Sequence, residues 1–219
     1  MKKLELHKIG NRIYSEKRRM TMPKKSFFKI RKAYRDVLIQ MAMDVFNSKD
    51  YQSLKVSDFC KGMDLPTGTF YEYFENKEDL CVYLASLAYE KKFAVSGKDN
   101  VALFSYEKEG FTLISDEVEE IGGITYDKIL HCGVGFFARL FDEYLLDMMM
   151  PYNREGLQEK IDAGIYRDDI DVEMTSYMIA LLSTFSLHYF DKYKITDKEK
   201  QEETTMKLIT AVDQLLKKK

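Results

Sequence analysis

The chain has 219 residues, 45% hydrophobic and 32% charged, which suits a folded protein with one large domain or a small and a larger one. Three prolines and eleven glycines are too few for a loop-rich β protein, and no apolar run approaches the roughly 18 residues that a bilayer span needs. The net charge of −2 conceals an asymmetry: residues 1–35 hold thirteen Lys or Arg against Glu5 and Glu16, a formal +11, which leaves −13 for the remainder. A basic arm on an acidic body points one end of the chain at a polyanion.

The N-terminus, MKKLELHKIGNRIYSEKRR, has no apolar stretch of the kind a secretory signal carries. Its first 23 or so residues show no sustained periodicity, and residues 1–26 read as a basic arm, densest at Arg18-Arg19 and Lys24-Lys25. Such arms lie along phosphates or reach into a minor groove; the other reading is a solvated tail. Leu4, Leu6, Ile9 and Ile13 form a poor apolar face, which argues against a membrane-surface role.

From Phe28 to Asn47 the apolar positions Ile30, Ala33, Tyr34, Val37, Leu38, Met41, Ala42, Val45 and Phe46 trace one face of a helix of about five turns. Lys29, Arg31, Lys32 and Arg35 fall on its other side, available to a DNA backbone. A connection over 48–54 follows, with Tyr51 and Leu54 directed to the core. Val56 to Met63 spaces Val56, Phe59, Cys60 and Met63 as one helical face. Asp64-Leu65 interrupts it, Pro66 supplies the φ of a helix's first turn, and Thr67 to Phe74 forms a second short helix. Asn76 caps a third, with acids in its first turn. Two helices of about seven residues are unstable alone and must be clamped by neighbours. The pair has the outline of a helix-turn-helix, whose second helix enters the major groove, although a tight corner in any all-α protein has that outline too.

The run Leu65-Pro66-Thr67-Gly68-Thr69-Phe70-Tyr71-Glu72-Tyr73-Phe74-Glu75-Asn76-Lys77-Glu78-Asp79-Leu80 resembles the signature of the TetR family of transcriptional repressors, a Gly-Thr-hydrophobic-Tyr-x-x-Phe recognition helix before a Lys-Glu-x-Leu helix start. The resemblance extends over residues 29–92. It implies an all-α chain with a three-helix DNA-binding head at 27–76 and a larger helical effector-binding and dimerisation body at 77–219. It also implies that Thr69, Tyr71 and Tyr73 face DNA, that Lys77 grips the backbone, and that Gly68 lets phosphates approach. With Lys24, Lys25, Lys29, Arg31, Thr67 and Glu72 these make the expected DNA-binding set. The sequence departs from the family pattern at Asp64, Pro66 and Thr67, and its recognition helix holds no Lys or Arg. Affinity must therefore lean on the arm and the first helix.

Asn76 to about Ser96 reads as the long helix that joins head to body, closed by Gly97 and Lys98-Asp99-Asn100. Val101–Tyr106 and Phe111–Ile121 could be helices or, for Phe111 to Ile114, a short extended piece. Thr125 is expected to cap a buried helix ending at Pro151, with a separate helix at Glu155–Ala163 ended by Gly164. Asp171 then caps a helix to about Tyr193 that is apolar nearly all round and so requires cover on every side. With a final helix over Asp197–Lys217, a second copy would complete a four-helix bundle through Tyr177, Leu181, Phe185, His188, Met206, Ile209, Val212 and Leu216.

Residues 101–190 contain nineteen Phe, Tyr or Met, either plain core filling or the wall of a cavity for a flat, apolar effector. Phe104, Tyr126, His131, Phe137, Phe141, Tyr177, Met178 and Phe185 are the candidate lining. His7, His131 and His188 show no metal spacing, and no phosphate loop or nucleophile triad is present by motif, so neither a metal site, a cofactor nor an enzyme is expected. Cys60, Cys81 and Cys132, widely separated on apolar faces, read as buried thiols of a cytoplasmic protein, a redox switch being the alternative. The expected function is a homodimeric regulator, a repressor released from a pseudo-palindromic operator by a small effector. An effector-independent architectural DNA-binding protein is the other reading.

Overall fold

The computed structural model describes residues 23–96, 120–121, 124–125, 128–129 and 131–218. In the head lie helices α1 (Lys25–Lys29), α2 (Lys32–Ser48), α3 (Val56–Gly62) and α4 (Thr67–Tyr73), and α5 (Lys77–Ser96) leads away from them. A hairpin follows, β1 (Glu120–Ile121) antiparallel to β2 (Ile124–Thr125) with Glu120 opposite Thr125. The body then comprises α6 (Val134–Leu140), a π-helical turn at Phe141–Leu145, α7 (Leu146–Asp162), α8 (Val172–Lys192) and α9 (Lys198–Leu216). The described residues are thus all-α apart from the hairpin.

The helix expected over 28–47 comes in two pieces. Ile30 and Arg31 are extended, with ψ of 149° and 135°, and α1 turns aside there. The turn lets Phe27 drop into the head, 1% exposed. Beyond the break α2 buries Leu38, Ala42, Met43 and Phe46, so its apolar stripe is rotated from the expected one, and Tyr34 and Val37 are exposed. Helices α2 and α3 approach so closely at Gly62 that an added Cβ would stand 2.1 Å from Val45 Cγ2. Asp64, where the family pattern has glycine, takes a positive φ of 50° to make the turn, a conformation that a short polar side chain tolerates.

The body corrects the sequence reading more strongly. Thr125 lies in β2 rather than at a helix start, and the long helix begins at Val134 after Gly133. Pro151 does not stop it. The helix passes through Pro151 to Asp162 and absorbs the one expected at Glu155–Ala163. An interior proline costs about 3 kcal/mol through its lost hydrogen bond and ring clash. Burial of Met149 and Met150 before it, and of Asn153 and Leu157 after it, is the opposing gain. The elements expected at 101–106 and over most of 111–121 lie outside the described residues, as do Gly97 and 98–100; Glu120–Ile121 is a strand.

Other boundaries follow the sequence. Asp171 accepts from the Met174 amide and Asp197 from the Lys200 amide, each at 2.9 Å, capping α8 and α9. Gly164 ends α7 with φ of 70°, while Ile165 and Gly164 donate to the carbonyls of Lys160 and Ile161 at 3.0 and 2.9 Å. One apolar core runs without interruption from the head (Phe46, Tyr51, Phe59, Phe70) through α5 (Leu80, Leu84) to the body (Ile124, Phe136, Phe137, Phe141, Ala180). A smaller core joins Leu157, Tyr166, Ile179 and Leu216.

The two kinds of glycine should respond oppositely to alanine. Gly164→Ala should destabilise by about 1 kcal/mol because of its left-handed backbone, and Gly156→Ala, inside α7 with open space around it, should stabilise by about 0.5–1 kcal/mol, both read from urea midpoints.

Candidate nucleic-acid interface

Helix α4 is too short to hold itself together, and its inward face shows what does. Phe70 and Phe74 are fully buried. Thr67, Gly68, Tyr71 and Glu72 are exposed and Thr69 is half-buried, so these five residues form one outward face. A Cβ on Gly68 would meet nothing within 4 Å, so a phosphate or sugar edge can approach there. Tyr73, expected on the same face, is instead 9% exposed and packs against Phe27, with ring centroids 5.5 Å apart. Its Tyr-x-Tyr spacing from Tyr71 turns it about 200° round the helix, towards the core.

The basic residues divide into two groups. Lys25, Lys29 and Arg31 are exposed around α1. Lys24 and Lys77 are committed within the protein. The Lys24 ammonium donates to the Tyr71 carbonyl at 3.0 Å. That of Lys77 donates to the carbonyls of Tyr51 and Leu54, each at 2.8 Å, and lies 4.5 Å from the Tyr51 ring centroid. The phosphate grip expected of Lys77 would have to break both bonds. Arg35, on the first turns of α2, stacks on Phe28 and donates to its carbonyl at 3.3 Å.

At the far end of the turn after α4, Asn76 Oδ1 accepts from the Asp79 amide at 2.9 Å while Asp79 Oδ2 accepts from the Glu75 amide at 3.0 Å. The other oxygen of Asp79 meets Arg139 Nη2 of the body at 2.5 Å. Arg139 also binds Glu143 in the π turn at 2.6 Å and Glu78 at 3.4 Å. Tyr51 donates to Glu78 at 3.3 Å, and its ring meets that of Phe136 at 5.4 Å. Burial, then the Glu78 charge, pushes the Tyr51 phenol well above its usual range, so it stays a donor. The Asn76-x-x-Asp79 spacing is a local signal for this capping pair. Arg139 has a local signal only towards Glu143, four residues on; Asp79 and Glu78 lie in α5, far away in sequence.

The residues proposed for an effector are only partly brought together. Phe141 contacts the rings of Tyr177 and Phe185 at 6.2 and 5.8 Å, and Phe137 is buried in the shared core. His131 and Met178 are exposed, and Phe104 and Tyr126 lie outside the described residues. Of the residues proposed for a dimer contact, Tyr177 and Met206 are exposed and Leu181, Phe185, His188, Ile209 and Val212 half-buried. Leu216 is 7% exposed and belongs to the smaller core of its own chain, so it is not open to a partner. Met174, Met178, Tyr189, Tyr193 and Leu215 are also exposed on or beside α8 and α9. All three cysteines are buried. Burial pushes the Cys132 thiol up to about 12 and that of Cys81 well above its usual value, so neither is an active thiolate at neutral pH. No helix among the described residues is long and apolar enough to cross a membrane, and among them no group of three or more His, Cys, Asp or Glu could hold a metal ion.

Residues 38–84, from mid-α2 into α5, match the family described as bacterial regulatory proteins, tetR family. That match is confined to the head and the first turns of α5. Among solved structures, a TetR-family transcriptional regulator from Syntrophomonas wolfei is 18% identical, with 83% of this chain and 95% of that one covered at a TM-score of 0.54, a likeness of fold. A TetR-family regulator from Chloroflexus aurantiacus is 17% identical over 90% of this chain and 100% of its own, at 0.44. FadR from Bacillus subtilis, solved with stearoyl-CoA, is 18% identical over 82% and 96%, at 0.49. No curated protein sequence matches the chain.

The Asp79–Arg139 bond gives the head a testable anchor. Asp79 is 3% exposed, so Asp79→Asn, which leaves Arg139 short of a charge partner, should cost about 3 kcal/mol in urea unfolding.

Proposed function

We propose that this chain is a TetR-type DNA-binding regulator, a homodimeric repressor that reads a pseudo-palindromic operator and is released by a small apolar or aromatic effector. The observation that carries the DNA reading is the outward face of α4, with Thr67, Thr69, Tyr71 and Glu72 presented by a helix whose other face is locked into the core. Threonine and tyrosine hydroxyls can bond base edges or phosphates, and the Glu72 carboxylate can accept from a cytosine amino group. None of them attracts a polyanion. That attraction falls to Lys25, Lys29 and Arg31 and to the seven Lys and Arg of residues 1–22.

Support for the dimer comes from α8 and α9. Met174 (58% exposed), Met178 (52%), Tyr193 (60%) and Leu215 (73%) are large apolar side chains in water in a single chain. A twofold partner would cover them and set two α4 helices about 34–36 Å apart, one turn of DNA. Support for an effector comes from the α7–α8 contact. Asn153 Oδ1 and Ser176 Oγ are buried there without a hydrogen-bond partner, and Tyr177, next to Ser176, leads to Phe141 and Phe185. Unpaired buried polar atoms and a cluster of aromatic rings, with Ser176, Tyr177 and Phe185 on the same helix, are the two ingredients that a ligand site needs. Release requires that the effector favour one conformer over the other; reversing a 99:1 population takes about 5.5 kcal/mol.

In vitro selection of duplexes, followed by anisotropy titration at two salt concentrations, tests the DNA reading; binding without sequence preference would overturn it. Removing residues 1–22 should weaken binding at least tenfold and flatten its salt slope, since fewer counterions are released. Met178→Glu should convert the dimer into a 25.7 kDa monomer by light scattering and lower operator affinity with it. A thermal-shift screen that finds no ligand would favour the effector-independent reading.

A further inference from the structure

Helix α4 closes without the residue that commonly ends a helix. No glycine or asparagine in left-handed conformation follows it; Phe74, the next residue, is extended at φ −133° and ψ 152°. The last four carbonyls of a helix lack partners in the continuing ladder, and for a seven-residue helix that is more than half of them. One of the four, that of Phe70, accepts from the Phe74 amide at 2.9 Å. The other three are met by the segment at 23–29, more than forty residues earlier in the chain. The Tyr71 carbonyl accepts from the Lys24 ammonium at 3.0 Å, the Glu72 carbonyl from the Ser26 hydroxyl, and the Tyr73 carbonyl from the Lys24 amide at 2.8 Å. Phe27 pins the segment in place, its ring 5.0 Å from that of Phe74 and 5.9 Å from that of Tyr83. The ammonium also sits at the negative end of the helix dipole.

We infer that residues 23–29 form a strap that caps the recognition helix from outside, and that Lys24 and Ser26 are positioning residues for base reading rather than phosphate contacts. The inference rests on the DNA-binding reading above. Tyr71 and Glu72, whose carbonyls the strap holds, are also the exposed residues of the last turn of α4. If that turn frays, both lose their aim, and discrimination between sequences falls before general attraction does. A lysine whose ammonium is held on a carbonyl of the protein neutralises no phosphate directly, so its loss should leave the salt slope nearly unchanged, which separates the two roles experimentally.

The test uses the full chain, a duplex of about 30 bp that the wild type selects from a random pool, and an unrelated duplex of equal length. Lys24→Met and Ser26→Ala should weaken binding to the selected duplex about tenfold and to the unrelated one less than twofold, with the salt slope unchanged. Hydrogen exchange of the peptide 67–76 should quicken at least fivefold without DNA, and Lys24→Arg should restore most of both losses. Lys25→Met, on the exposed side of the strap, is the comparison and should lower the slope by about 0.9. A slope lowered by Lys24→Met, with exchange at 67–76 unchanged, would overturn the inference. Should the wild type select no duplex, the DNA-binding reading fails, and the exchange experiment still decides whether the strap caps α4.

Discussion

A helix of seven residues does not survive in water, and the surroundings of α4 follow from that constraint. Beneath it, Phe70 and Phe74 anchor it to the aromatic floor formed with Phe27 and Tyr83. At its C-terminal end the strap and the Asn76–Asp79 pair leave the chain little freedom to unwind. The side that remains open is the one that can meet a groove. Rigidity here is made by neighbours, because the local sequence Thr-Gly-Thr, with a glycine and two β-branched residues, is a poor helix former.

In the proposed reading, recognition and attraction are carried by different parts of the chain. Helix α4 lacks any basic residue and includes Glu72, whereas the first 35 residues hold a formal +11. The division fits the general behaviour of DNA-binding proteins, in which phosphate contacts set affinity and register while base contacts set sequence. It also explains why a head with an acidic reading helix can still approach a polyanion: the field is supplied by flanking segments and does not depend on the residues that discriminate.

The head was legible from sequence because its signals are local: apolar spacing over 56–63, a proline at a helix start, an aspartate or asparagine cap. The family resemblance rested on the same short run. What escaped was set by contacts distant in sequence. Lys77 looks like a surface cation until the Tyr51 and Leu54 carbonyls are placed above it. Lys24 looks like part of a solvated arm until the end of α4 reaches it. Tyr73 was assigned outward by motif, while its helical angle sends it in. Pro151 misled for a related reason, since a local penalty of about 3 kcal/mol says nothing of the burial on either side of it. The sequence cues over 101–119 were weak from the start, being neither clearly alternating nor clearly helical.

The uninterrupted core between head and body has a mechanical consequence. With Phe46, Leu80, Phe136 and Phe141 in one packed cluster, the boundary near residue 76 is no hinge. Breaking it would expose aromatic surface and pull Asp79 from Arg139. Among the described residues, packing is discontinuous between that cluster and the smaller one around Leu157, Tyr166, Ile179 and Leu216. In a twofold assembly the reading head would then turn with most of its own body as a single blade, and the pivot would lie at the far end of α7 and α8. A small rotation at that distance becomes a large displacement at α4.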